Sequence, residues 1–157
     1  MILSLHSTTG AILASNSNSL EQAIILGIVS HYFLDSIPHV EYKIKNIQKG
    51  DLKMAAKEFT KIFFDLLIGF IVILYLIQNK SFDQSILILV GSFFALLSDG
   101  LYFTDCLIKN KDQNIFTKSL KTLTNFHQKI HSSITNKLIT IPSQIITVLI
   151  LIYIIFK

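Results

Sequence analysis

Five histidines and three aspartates lie in or beside apolar runs: His6, His31, His39, His127 and His131, with Asp35, Asp65 and Asp99. The block H-Y-F-L-D from His31 to Asp35 has i,i+4 spacing, so both side chains share one helix face. Ser36, Ile37, Pro38 and His39 follow. Proline ends the helix, which lets His39 fold back toward the same point. Two imidazoles and a carboxylate within nine residues are a sensible N and O donor set for Zn²⁺, Mn²⁺ or Fe²⁺. A dipole-complementing helix end with a solvated Asp35 is the plainer alternative. His127 and His131 form a second i,i+4 pair. Gln128 stands where a metalloprotease helix would carry its glutamate base, so that chemistry is absent.

Asp65 and Asp99 lie inside the runs I-F-F-D-L-L-I-G-F and F-A-L-L-S-D-G-L-Y-F. A carboxylate at the centre of a membrane helix costs about 2.5–3.5 kcal/mol, so it faces the bundle interior with a partner. Lys61, one turn before Asp65, is a candidate partner for it. Asp99 has no charged residue within four positions, which favours a ligand, or a carboxylate that orients a ligand histidine. Either aspartate is a candidate general base. Gly100 beside Asp99 offers room for a close backbone approach. His6, in H-S-T-T-G, is a further candidate ligand. Glu41, Glu58 and Asp105 read as solvated or ion-paired groups near the interface. Cys106 reads as a small core residue, because no nearby feature lowers its pKa.

The elements that must position these groups are helical. Residues 1–14 suit a short helix, below the roughly 20 residues of a full span. Residues 15–19 suit a turn, and Ser19 with Gln22 has the spacing of a capping box. A second helix is expected from Leu20 to Ile37. Asp51 can cap a third, amphipathic at first and membrane-embedded over Ile62–Ile77. After a turn at 79–83, a long apolar helix is expected over Gln84–Ile108. An amphipathic or interfacial helix suits Phe116–Ile134. Residues 138–156 carry no charge and form the clearest span, with Pro142 near its start. There is no internal repeat and no low-complexity linker.

The lysines orient this arrangement. Residues 40–61 carry Lys43, Lys45, Lys49, Lys53, Lys57 and Lys61, and residues 109–137 carry another six. Turn 79–83 has one lysine and turn 15–19 has none. The positive-inside rule then places both lysine-rich segments in the cytoplasm. On that topology every histidine, together with Asp65 and Asp99, falls at the cytoplasmic membrane face. The lysines and the histidines are independent signals, and they agree.

Composition supports the class. The chain has 157 residues, 51% of them hydrophobic and only 15% charged, with mean hydropathy +0.56. A soluble globular chain carries roughly 25% charged residues. Disorder and a disulfide or cysteine-rich zinc scaffold are excluded, the latter two by the single cysteine. The net charge is +4, yet nucleic-acid binding is rejected: the lysines abut apolar runs, without interleaved stacking aromatics. All 14 basic residues are lysine, so Arg-fork phosphate recognition is absent. The first basic residue is Lys43, so no basic n-region of a cleavable signal is seen. The reading is a single all-α integral membrane domain: four to five membrane-embedded helices plus an interfacial amphipathic helix.

With H-S-T-T-G near the start, S-H-Y-F-L-D-S-I-P-H after one helix, an intramembrane S-D-G and H-Q-K-I-H-S before the final span, the chain resembles the YdjM-like membrane-bound metal-dependent hydrolases. His31, Asp35, His39 and His131 match that pattern most closely. Ser36, Ile37 and Pro38 separate Asp35 from His39, where the family's namesake has a tighter D-I-D-H. The resemblance implies a helical bacterial inner-membrane protein with a metal site at the membrane face and hydrolytic activity. The expected ligands are His31, Asp35, His39 and His131, with His6, Asp99 and His127 as further ligands or their supports. Zn²⁺ is the expected ion, with Mn²⁺ or Fe²⁺ as alternatives. A lipid or phosphoester substrate would reach the site from the bilayer. Two other functions fit the same residues: a proton- or cation-handling protein using intramembrane Asp and His, and a non-catalytic membrane scaffold.

Overall fold

The computed structural model describes residues 2–40, 44–49, 51–108, 115–132, 134 and 136–155. Glu41 and three of the orienting lysines, Lys43, Lys109 and Lys111, lie outside them. The chain forms α1 (Leu3–Ala14), α2 (Leu20–Ser36), α3 (Lys45–Lys49), α4 (Leu52–Ile77), α5 (Phe82–Leu107), α6 (Ile115–Ile130) and α7 (Lys137–Ile155). No strand occurs among the described residues.

Local signals account for most boundaries. Ser19 Oγ accepts from the Gln22 amide at 3.2 Å, as in a capping box. Gln22 Oε1 reaches one residue further back than that motif predicts and accepts from the Asn18 amide at 2.9 Å. Asp51 Oδ1 accepts from the Met54 amide at 3.2 Å and starts α4. α4 then runs unbroken from the lysine-rich segment into the apolar one, so the amphipathic and embedded parts are a single helix. Ser81 Oγ accepts from Gln84 at 3.3 Å and starts α5. α2 ends at Ser36, with Ile37 extended ahead of Pro38, because the residue before proline disfavours helix.

Among the described residues, three helices have the length and apolarity to cross a membrane: Lys53–Ile77 of α4, Phe82–Leu107 of α5 and Lys137–Ile155 of α7. Their outward residues include Phe63, Phe64, Phe70, Ile71, Phe93, Ile146 and Ile150, all exposed. On a soluble surface such a patch would aggregate; against acyl chains it is the favourable arrangement. α1 and α2 are shorter. α1, at 12 residues, is about 18 Å long, well under the roughly 30 Å hydrocarbon core. It fills the interior, packed on α2, α4 and α5.

Small residues allow that packing. Nine of the twelve α1 residues are buried, among them Ser4, Ser7, Gly10, Ala11 and Ala14. A Cβ on Gly10 would meet the Gly91 carbonyl oxygen of α5 at 2.5 Å. A Cβ on Gly27 of α2 would meet the same oxygen at 2.5 Å. α1 and α2 therefore close on α5 at one point, Gly91, through backbone contact. This is the small-residue packing that helix association in lipid relies on. Gly100 does not share that role: nothing lies within 4 Å of where its Cβ would be. The close approach it suggested occurs instead at Gly91, more than two turns earlier on the same helix.

Candidate metal centre

Seven side chains from four elements gather at one end of the bundle. α1 brings His6, α2 brings His31 and Asp35, and the turn after Pro38 brings His39. α5 brings Asp99. α6 brings His127, and His131 follows its last residue. His6, His31 and Asp35 are almost fully buried, and His39 and His127 nearly so.

Asp35 is at the centre. Its Oδ1 is 3.2 Å from His6 Nε2 and 3.9 Å from His131 Nε2. Its Oδ2 is 3.1 Å from His31 Nε2 and 3.4 Å from His127 Nε2. The imidazoles also meet each other: His31 Nε2 is 3.3 Å from His127 Nδ1, and His39 Nε2 is 3.0 Å from His131 Nε2. Asp99 closes the site from α5, with Oδ2 at 4.0 Å from His31 Nδ1 and Oδ1 at 3.8 Å from His127 Nε2. Its side chain is 24% exposed, so it forms the wet edge of the site.

Local chemistry holds these groups in place. His39 Nδ1–H donates to the Ile37 carbonyl at 2.6 Å, which leaves its Nε2 lone pair facing His131. The extended residues ahead of Pro38 thus return His39 to the cluster, as the proline suggested. The Ser132 amide donates to the Asp35 carbonyl at 2.8 Å and ties the end of α6 to the end of α2. Two tyrosines, not evident as partners from spacing, shape the walls. Tyr32 lies edge-on to His31 with ring centroids 5.3 Å apart, and Tyr102 stacks on His127 at 6.1 Å. Ser143 Oγ donates to the Pro38 carbonyl, and Gln144 Oε1 accepts from the Val40 amide at 3.3 Å, so α7 braces the His39 turn.

The donor set fits a metal ion. Ligands bound at about 2.0–2.2 Å around one ion sit roughly 3–3.5 Å from each other. Most separations in the cluster lie in that range. Three overlapping groups bring their donor atoms within 4.8 Å: His6, His31 and Asp99; His31, Asp35 and His127; Asp35, His39 and His131. His6 Nε2 faces Asp35 Oδ1 at 3.2 Å and is buried without a well-formed hydrogen bond, an expensive state that a bound cation would relieve.

Asp65, a candidate general base from sequence, is not part of this centre. It accepts from the Ser4 amide at 3.3 Å and from Ser4 Oγ at 2.5 Å. Ser4 is in the first turn of α1, whose own N-cap, Ile2, supplies no side-chain bond. The carboxylate from α4 thus serves the unsatisfied N-terminal amides and positive dipole end of α1. Ser4, not Lys61, is its partner. Glu58 likewise is not merely solvated. It accepts from the Asn46 and Ile47 amides at 3.1 and 3.0 Å and from Asn46 Nδ2 at 2.9 Å, holding α3 against α4. Asp105 approaches Thr124 of α6 at 3.5 Å. Cys106 is only partly buried.

Comparison with known protein families, curated proteins and solved structures finds no match.

Proposed function

We propose that this chain is a metal-dependent hydrolase embedded in the cytoplasmic membrane, related to the YdjM-like group, with its metal centre facing the cytoplasm. The observation that carries the reading is Asp35, a buried carboxylate with four imidazoles from three helices and a loop about its two oxygens. A polar concentration of this kind is costly inside an apolar bundle, and a bound cation offsets the cost.

His31, Asp35, His39, His127 and His131 would supply the metal ligands, with His6 beside Asp35. Zn²⁺ suits the mixed N and O donors, and Mn²⁺ or Fe²⁺ would also fit. Such an ion, when bound, supplies Lewis acidity and lowers the pKa of water toward 7. Asp99 stands on the more exposed side of the cluster, within 4.0 Å of His31 and His127. From there its carboxylate would accept a proton from the attacking water and help to orient the adjacent imidazoles. A lipid or phosphoester substrate would enter laterally, its polar linkage level with the site and its chains in the bilayer.

A proton or cation relay across the membrane is less well supported. The titratable groups gather at one end, and the bundle beyond them is closed by Gly10, Gly27, Gly91, Ala95 and Ile88. The test is elemental analysis of the detergent-purified full chain beside His31→Ala, followed by a screen of chromogenic phosphomonoester, phosphodiester and acyl-ester substrates. Transition metal in the wild type, lost in the variant together with hydrolysis, supports the proposal. Absence of metal after reconstitution with Zn²⁺ and Mn²⁺ overturns it.

A further inference from the structure

We infer that the centre holds two metal ions, bridged by the carboxylate of Asp35; this rests on the metal-binding part of the reading above, not on hydrolysis. The geometry around Asp35 divides in two. On the Oδ2 side, His31 Nε2 lies at 3.1 Å and His127 Nε2 at 3.4 Å, and the two rings approach each other to 3.3 Å. On the Oδ1 side, His131 Nε2 lies at 3.9 Å and is itself 3.0 Å from His39 Nε2, with His6 Nε2 at 3.2 Å from the same oxygen.

Two of the donor groups, His31–Asp35–His127 and Asp35–His39–His131, share one residue only. That residue has two oxygens, and each faces a different set. One ion cannot take all these donors. Their donor atoms come within 4.8 Å of one another only as two sets of three that share Asp35, not as one set of five. A syn-syn carboxylate bridge holds two ions about 3.5–4 Å apart, the separation of two-metal hydrolytic centres. A third ion in the His6–His31–Asp99 group would need His31 a second time, through Nδ1, while its Nε2 already faces Asp35. Two is therefore the number the donors support.

The division has a structural origin. His31 and His127 come from the bodies of α2 and α6, whereas His39 and His131 follow the ends of those same helices. The i,i+4 spacing of His127 and His131 sends one imidazole to each side. His31 and His39 divide in the same way across Pro38. Each side keeps unfilled positions, as catalytic sites do. Two ions so placed would clamp the attacking and leaving oxygens of a phosphoester, which favours that substrate class over acyl esters.

The test uses the full-length protein in detergent, loaded with Mn²⁺ or Zn²⁺ and desalted. Metal per chain is measured by mass spectrometry, and Mn²⁺ coupling by electron paramagnetic resonance. The wild type should hold two ions per chain with an exchange-coupled Mn²⁺ signal. His39→Gln and His127→Gln should each hold one, with an isolated six-line signal. Asp35→Ala should hold none. The wild-type count decides the matter even if a variant fails to fold. One ion per chain with no coupling overturns the two-ion centre and leaves the metal-binding reading standing. No ion overturns both. Two coupled ions without hydrolysis would support this centre and count against the hydrolase.

Discussion

Asp35 and Asp65 are both aspartates buried in an apolar bundle, yet they face opposite chemistries. Asp35 has imidazoles about both of its oxygens, while Asp65 takes the amide and hydroxyl of Ser4. Their substitutions should separate cleanly. Asp35→Asn keeps shape but loses the charge that holds a cation, and metal content should fall to background. Asp65→Asn should retain full metal content and lower stability by about 1–3 kcal/mol, the usual cost of weakening a charged buried hydrogen bond. Elemental analysis and thermal melts on the same preparations check both. Asp99→Asn should keep the metal and slow hydrolysis by roughly 10²-fold or more, the scale of a lost general base. The clustering of His31, Asp35, His127 and His131 was legible because His31 with Asp35 and His127 with His131 have helical i,i+4 spacing, which is local information. The role of Asp65 was not legible. Its partner is 61 positions away in sequence, and nothing near Asp65 signals an uncapped α1.

Helix ends and helix crossings position the site, and each invites a substitution. Pro38→Ala should let α2 run past Ser36 and carry His39 away from His131. Metal content should fall to half while helicity by circular dichroism is unchanged; unaltered metal content would show that Pro38 does not place His39. Gly91 and Gly100 make a matched pair on α5. A Cβ at Gly91 would meet Ala14 Cβ at 2.3 Å and the Gly10 carbonyl oxygen at 2.7 Å, whereas at Gly100 it meets nothing. Gly91→Ala should thus push α1 and α5 apart, cost about 1–3 kcal/mol as overpacking does, and weaken metal retention. Gly100→Ala should leave both intact. Element boundaries were readable from Ser19, Pro38, Asp51 and the apolar run lengths. Which glycine served the crossing was not, because a crossing point depends on how α1 and α2 lie against α5. No local sequence rule states that.

At the scale of the whole molecule, the decisive asymmetry is charge. Lys45, Lys49, Lys53, Lys118, Lys121 and Lys129 belong to elements at the same end of the bundle as the His/Asp cluster, while Lys80 follows α4 at the other end. Lysine-rich segments resist translocation, so the end that carries the site should remain in the cytoplasm. Single cysteines test this in a Cys106→Ser background expressed in bacterial cells. A cysteine at Lys80 should react with a membrane-impermeant maleimide on spheroplasts. One at Lys121 should react only after the membrane is opened. The reverse pattern would put the His/Asp cluster on the outer side of the membrane and remove cytoplasmic substrates from consideration. That outcome would leave the donor geometry untouched, because the cluster is set by how α1, α2, α5 and α6 pack, whereas orientation is set by charges at the ends of the spans. Site and sidedness are therefore separable properties of this chain, and only their coincidence at the cytoplasmic face would give a lateral lipid route and an aqueous cytoplasmic exit to the same cluster.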